Sequence, residues 1–324
     1  MRLLLLGGYR FLGRAVIDSA RRRGHAVTVF NRGSTRTADL GDVEWILGDR
    51  SHDLERLRAR SWDAVIDTCG YLPADVASSA ASLRDATAQY TFVSSISTYA
   101  LPIATGLDET AAVCEMPPGA DPSKVANETY GALKVLCERA LEVLNVRAGA
   151  IVGPYDYFDR FASWLERAAR GGTMLAPGRP QRLVQLIDVN DLADWMVSSS
   201  ERKLVGTVNA SGPTTPITMR DLIEACGTAK GSTASIVWVD DDYLQRAGVL
   251  EDEELPFWER DEANGLFELD LGRARRMGLV TRPLVETAIE TYAWTRQCVG
   301  TDRKRGLDPA NEANMLARYR VDGE

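Results

Sequence analysis

Residues 3–13 read Leu3-Leu4-Leu5-Leu6-Gly7-Gly8-Tyr9-Arg10-Phe11-Leu12-Gly13, and the reading of the fold turns on them. Four consecutive leucines lack the alternation of a half-exposed strand, so Leu3–Leu6 is predicted as a strand buried on both faces. Glycines end it at once. Phe11–Arg23 then has helical spacing and stops at Gly24, a plausible C-cap. Strand, glycine turn and helix in that order make an anion site. Backbone N–H groups and the positive helix end face a phosphate, and glycine lets it approach. Gly7 suits the tight turn and Gly13 the close packing of helix on strand. Gly7, Tyr9, Arg10, Phe11, Leu12 and Gly13 are therefore the expected pyrophosphate contacts. A glycine-rich turn with no ligand is the plainer alternative.

Outward from this stretch, strands and helices alternate. Ala26–Asn31, Val43–Leu47, Ala64–Thr68 and Tyr90–Ser94 read as strands, and Leu54–Arg60 and Pro73–Leu83 as helices. That spacing implies right-handed crossovers and a parallel sheet. The expected fold class is α/β, a Rossmann doubly wound parallel sheet with a smaller α+β C-terminal lobe for substrate. A loop-rich insertion, Pro102–Ser123, precedes a helix expected from about Asn127 to Leu144 and a strand over Arg147–Val152. Further on, Phe158–Arg170 and Asp191–Ser200 look helical, and Thr207–Asn209 looks like a short strand. The dinucleotide-binding domain is drawn as 1–155 plus about 184–212, the lobe as 156–183 and 213–300, and a polar tail as 301–324 with one helix over Pro309–Tyr319.

Composition narrows the function. The 324 residues carry a formal net charge of −8, which argues against nucleic acid as a partner. Arg21-Arg22-Arg23 and Arg303-Lys304-Arg305 read as solvated runs. Five widely spaced cysteines with no C-x-x-C pair suit free thiols in a reducing compartment. With only His25 and His52, a histidine metal site or triad is not expected, and no metal is called. No apolar run reaches membrane length, so a cytoplasmic protein without membrane contact is expected.

The tip of the second strand bears on cofactor choice. An acidic residue there binds the NAD ribose, whereas arginine accommodates the 2′-phosphate of NADP. The chain has Asn31 and Arg32 there, with Arg10 and Arg36 adding positive charge, so NADP(H) is favoured and NAD(H) stays open. Asp49 is assigned to the adenine amine or to capping the helix near His52. Thr68 and Cys69, at the end of the fourth strand, fall near the expected nicotinamide ribose, with Cys69 a small buried residue and not a nucleophile.

Tyr130-Gly131-Ala132-Leu133-Lys134 puts a phenol and an amine on one helix face. A tyrosine is a poor acid–base catalyst near neutrality, and an adjacent ammonium stabilises its phenolate and lowers its pKa. A hydroxyl to orient the substrate is available in Ser94-Ser95-Ile96-Ser97-Thr98-Tyr99.

With these elements in order, the chain resembles the extended short-chain dehydrogenase/reductase superfamily, the epimerase/dehydratase-like group, over residues 1 to about 298. Ile151-Val152-Gly153-Pro154, Leu186-Ile187-Asp188-Val189-Asn190-Asp191 and Leu269–Gly278 also fall in family order. The resemblance implies Tyr130 as proton donor or acceptor and Lys134 as the residue that positions the cofactor and tunes Tyr130. It implies Ser95, with Ser94 as the alternative, on the reacting oxygen, and backbone at Ile151 and Val152 on the carboxamide. A homodimer through helices of the Rossmann domain is a further implication.

Three departures qualify it. Arg10 replaces the middle glycine, as in an atypical subgroup that includes chloroplast stem-loop RNA-binding proteins. Ile96 and Ser97 stand where dehydratases carry Asp-Glu. Val184 and Gln185 stand where sugar-nucleotide members carry Arg-Asp, although Arg179 or Arg182 is close enough in sequence to substitute. The leading expectation is an NAD(P)-dependent reductase or dehydrogenase of a small polar carbonyl or alcohol. A nucleotide-sugar epimerase and a non-catalytic NADP- or RNA-binding Rossmann protein are the alternatives. The tryptophans read as packing, with Trp164 beside Phe161 the exception expected near the cofactor, and Asp240-Asp241-Asp242 as a solvated run.

Overall fold

The computed structural model describes residues 1–34, 41–140, 143–231, 234–259, 264–297 and 305–322. Arg36, Cys298, Arg303 and Lys304 lie outside the described residues. Strand β1 (Arg2–Leu6) leads through the glycine loop into helix α1 (Phe11–Arg22) and β2 (Ala26–Asn31). Then follow β3 (Glu44–Leu47), α2 (Glu55–Arg58), β4 (Ala64–Asp67), α3 (Pro73–Leu83), β5 (Tyr90–Ser95), α4 (Asn127–Arg139) and β6 (Leu144–Ala148). Beyond them come β7 (Ala150–Val152), α5 (Arg160–Arg170), β8 (Thr173–Pro177), β9 (Leu183–Val184), β10 (Leu186–Asp188), α6 (Val189–Glu201) and β11 (Gly206–Ala210). The chain continues with β12 (Ile217–Thr218), α7 (Met219–Lys230), β13 (Ser235–Val239), α8 (Asp241–Arg246), α9 (Gly272–Arg276), α10 (Leu284–Thr295) and α11 (Pro309–Asp322).

Seven strands form one sheet in the order β11-β6-β5-β4-β1-β2-β3, every pair parallel. The leucine run is central because both its faces are covered. Leu3 and Leu5 pack with Val16, Ile17, Leu192 and Met196 of α1 and α6. Leu4 and Leu6 pack with Leu57, Val76 and Leu83 of α2 and α3. Strand order reverses at β1, between β2 and β4, and such a switch point opens a crevice at the C-terminal strand ends.

Two boundaries differ from those expected from the sequence, each through a contact distant in the chain. The helix expected to reach Leu144 ends at Arg139, because Leu144 is fully buried in β6, paired with Thr91 and Gly206. The strand expected over Arg147–Val152 is two strands that divide at Gly149. A Cβ on Gly149 would lie 2.1 Å from Ser211 Oγ. The chain thereby leaves the main sheet, and β7 pairs instead with β10.

The lobe has its own core, in which Phe161, Trp164 and Leu165 of α5 meet Leu222 of α7, Phe257, Trp258 and Leu284. The segment drawn as a tail is docked on it. Glu312 of α11 accepts from Arg167 Nε and from the Leu175 amide, and Leu316 is buried. Among the described residues, no helix is long and apolar enough to cross a membrane.

Candidate active site at the crevice

The glycine loop is built for close approach. Gly7 and Gly8 take φ of +95° and +90°, which side chains rarely adopt. A Cβ on Gly13 would sit 2.2 Å from Gly8 Cα. Helix α1 starts after Arg10 with no side-chain cap, so its first amides are not claimed by a side chain. This cradle, uncapped and too tight for a Cβ, fits a pyrophosphate. Tyr9 is buried and packs 5.3 Å, ring to ring, from Trp45, so it supports the loop from behind; Leu12 is also buried.

Arg10, where the family has glycine, is exposed, and its guanidinium lies 5.4 Å from the ring centroid of Tyr157. Phe11 meets the same ring edge-on at 6.4 Å, and Arg14 lies 4.0 Å over Tyr155. The substitution therefore joins the glycine loop to the loop after β7. That second loop is conformationally costly: Tyr155 and Asp159, neither of them glycine, have positive φ.

At the tip of β2, Asn31 is an internal strut. Its Nδ2 donates to the Gly7 carbonyl at 2.8 Å, and its Oδ1 accepts from the Gly33 amide. Arg32 is exposed, with Nη1 3.9 Å from the Asp49 carboxylate. Asp49 itself accepts from the Ser51 amide, which holds its carboxyl below the usual range, and its carbonyl receives the amides of His52 and Asp53. Thr68 donates to the Leu6 carbonyl, and its Oγ1 lies 2.8 Å from where a Gly7 Cβ would be. Burial pushes the Cys69 thiol up to about 12, which makes a nucleophilic thiolate untenable there. Ile151 is half-buried and Val152 fully buried in β7.

Beside this crevice stand Ser95, at the end of β5, and Tyr130 and Lys134 of α4. Ser95 Oγ accepts from the Ser97 amide at 3.1 Å and donates to Ser97 Oγ at 3.1 Å, and the hydroxyl lies close enough to the Tyr130 phenol to favour its phenolate. Ser94, the alternative hydroxyl, is committed elsewhere: it donates to Glu138 Oε1 at 2.5 Å, and Glu138 is gripped by Arg147 at 3.0 and 2.8 Å. Lys134, 4% exposed, donates from Nζ to the carbonyls of Gly70 (2.7 Å) and Val93 (2.9 Å). Burial lowers its pKa to about 8.

The expected lowering of the Tyr130 pKa is not found. Burial raises it, partly offset by the nearby Ser95 hydroxyl and the Arg160 charge. Lys134 Nζ is 5.8 Å from the Tyr130 ring centroid, with its charge directed into two carbonyls, so desolvation outweighs it.

Other expectations are also corrected. Trp164 and Phe161 do not face the crevice: both are buried in the lobe, and Trp164 Nε1 donates to the Pro256 carbonyl. Arg182 is not a substitute phosphate ligand, being buried against Asp241 and the Glu259 carbonyl. Asp241 thus belongs to no solvated run, since Trp258 Nε1 also donates to it. Arg179 is exposed. Val184 is buried, and Gln185 makes a two-way amide pair with the Leu269 backbone at 2.9 and 3.2 Å.

The sequence reading passed over Tyr71, Tyr157, Phe158 and Arg160. Lys134 Nζ lies 4.9 Å from the Tyr71 ring centroid; Tyr157 and Phe158 stack at 4.4 Å; and Arg160 lies between Phe158 and Phe257. Three aromatics within four residues after Gly153-Pro154 were the available signal.

This fold and loop define the class: a doubly wound Rossmann protein with its glycine loop at the switch point and a Ser-Tyr-Lys set at the crevice. The chain belongs to the NAD dependent epimerase/dehydratase family, whose model matches residues 3–209. No curated protein matches it significantly in sequence. Among solved structures it is similar to a putative epimerase from Burkholderia cenocepacia J2315, with TM-score 0.69, 18% identity, 91% of this chain and 98% of that one covered. It is also similar to UDP-glucuronic acid 4-epimerase from Bacillus cereus in complex with NAD, with TM-score 0.68, 14% identity and coverage of 93% and 99%. A third is the epimerase Mth375 from Methanothermobacter thermautotrophicus, with TM-score 0.67, 14% identity and coverage of 91% and 92%. At these identities the likeness establishes the shared fold.

Proposed function

We propose that the chain is an NADP(H)-dependent oxidoreductase that reduces a small polar carbonyl, or oxidises the corresponding alcohol, at Ser95, Tyr130 and Lys134. The observation that carries this is the Ser95 hydroxyl and the Tyr130 phenol set beside a buried lysine, at the sheet edge that also presents the glycine loop. Gly7, Gly13 and the uncapped start of α1 would hold the pyrophosphate; Arg32 would meet a 2′-phosphate; Thr68, Ile151 and Val152 would border the nicotinamide. When bound, the nicotinamide supplies or accepts the hydride. Ser95 holds the substrate oxygen. Tyr130 Oη gives that oxygen a proton on reduction and takes it on oxidation. Lys134 would present its third N–H, which has no hydrogen-bond acceptor among the described residues, toward the cofactor side.

An epimerase reading has support in the solved relatives, one of which is a UDP-glucuronic acid 4-epimerase holding NAD. The local chemistry favours the smaller substrate. Val184 carries no charge, Gln185 is used up on Leu269, and Arg182 on Asp241, so these positions offer no ligand for a nucleotide diphosphate. NADPH oxidation against a panel of small carbonyls tests the proposal. Turnover with net oxidation is expected. Retained cofactor, isomerised sugar nucleotide and no net redox change would replace it with the epimerase.

A further inference from the structure

Joining the segment after β3 to the C-terminal end of β4 is a buried ion pair that the proposed chemistry has not used. Arg50 Nη1 and Nη2 bind the two carboxylate oxygens of Asp67 at 3.1 and 2.8 Å. Asp67 is fully buried at the end of β4, and its oxygens also accept from Tyr90 Oη (2.9 Å) and the Cys69 amide (3.1 Å). Arg50 is secured further by Ser79 Oγ at 2.9 Å, the Asp75 carbonyl at 3.4 Å and Cys69 Sγ at 3.5 Å. A buried pair of this kind is poor value for stability alone, because desolvation consumes most of the attraction.

Its position suggests another role. The Asp67 carboxylate lies under the turn Thr68-Cys69-Gly70, 3.2 Å from where a Gly70 Cβ would be. The Gly70 carbonyl is the closer of the two oxygens that seat the Lys134 ammonium. A carboxylate three residues before that carbonyl favours the charged lysine in a place where burial disfavours it.

Resting on the oxidoreductase reading, we propose that Arg50 and Asp67 are a positioning pair for Lys134: they fix the Gly70 carbonyl beneath its ammonium and supply the negative charge that keeps it protonated at the crevice. The charged and titratable groups acting on Lys134 are Asp67 and Cys69 of the β4 end, Arg50 after β3, and Cys137 on its own helix. The Tyr71, Phe92 and Tyr130 rings surround it. Asp67 opposes burial, while Arg50 both anchors Asp67 and partly opposes it.

The chain has only five lysines, so its lysine side chains can be followed individually by NMR with ¹³C label at Cε, with Lys134→Met assigning the signal. In the cofactor-free protein, Lys134 is expected to titrate near 8, well below the reference lysine value of about 10.4. Asp67→Asn should move that midpoint down by about one unit or more, leaving a buried arginine as the nearest charge. The double variant Arg50→Met with Asp67→Asn removes both charges, folds even where the single variant does not, and should fall between the two. A Lys134 midpoint unchanged in the folded single or the double variant overturns the pairing; a merely structural pair would change melting temperature and leave the midpoint alone. NADPH and NADH titrations of the same samples separate the two claims. Failure of the wild type to bind either contradicts the functional reading, whereas normal binding with an unmoved lysine contradicts only the positioning role.

Discussion

Lys134 and Arg167 are both buried cations, yet they are held in opposite ways. Lys134 faces two neutral carbonyls, keeps a donor in reserve and has its pKa lowered to about 8. In the lobe, Arg167 is instead paired with a carboxylate, that of Glu312, and also donates to the carbonyls of Gly171 and Thr173. Arg182, against Asp241 and the Glu259 carbonyl, belongs with it. Charge at the crevice is left incompletely neutralised and is available for chemistry, while charge in the lobe is spent on joining segments distant in sequence. The lesson is that burial of a charge does not mark function; the partner set does.

The contrast can be broken first at the glycine loop. Gly13→Ala places a Cβ against the Gly8 backbone, so cofactor affinity should fall by about 100-fold or more in a titration, with the lobe untouched. On the other side, Glu312→Ala strips Arg167 and the Leu175 amide of their acceptor. It should cost about 3–5 kcal/mol in denaturant unfolding while leaving the Ser95–Tyr130 pair intact. If Glu312→Ala instead weakened cofactor binding with no stability loss, the two regions would not be distinct.

A smaller effect is expected from pH. Burial raises the Asp156 carboxyl to about 6 and that of Glu259 to about 7, both from ordinary values near 4. Between the unfolded and folded values the native state binds more protons, so stability falls as pH rises through that window. Thermal melts should show the protein more stable at pH 5 than at pH 7.5, by about 2–4 kcal/mol, and Asp156→Asn should remove about a third of the difference, because Glu259 is raised further. A melting temperature that rises over the same range would contradict the sign. Smallest is the cofactor preference: Arg32 is exposed and 3.9 Å from Asp49. Arg32→Ala should narrow an NADPH over NADH preference by about tenfold or less, roughly 1 kcal/mol.

How much of this was legible in the sequence follows from the range of the interactions. The leucine run, Gly7, Gly13 and the Tyr130–Lys134 spacing are local signals, and β1, α1 and α4 formed around them. The break at Gly149 was hidden, because it depends on Ser211, sixty residues later in the chain but adjacent in space. The rise of the Tyr130 pKa was hidden too: spacing shows that a lysine is near, whereas the direction depends on burial and on where the ammonium points. Arg50 and Asp67 left a trace, an acid closing the apolar strand Ala64–Asp67, but the partner seventeen residues earlier needed the fold. The α11 helix was visible as a helix, and only the buried Glu312 placed it on the lobe.

The decisive measurement is the turnover of Tyr130→Phe. With a carbonyl that the wild type reduces, loss of the phenolic proton donor should lower kcat by about 100-fold or more, with NADPH affinity within about twofold of wild type. Reduction by the variant at the wild-type rate would mean that the proton comes from elsewhere and that the Ser95–Tyr130–Lys134 crevice is not where the chemistry happens.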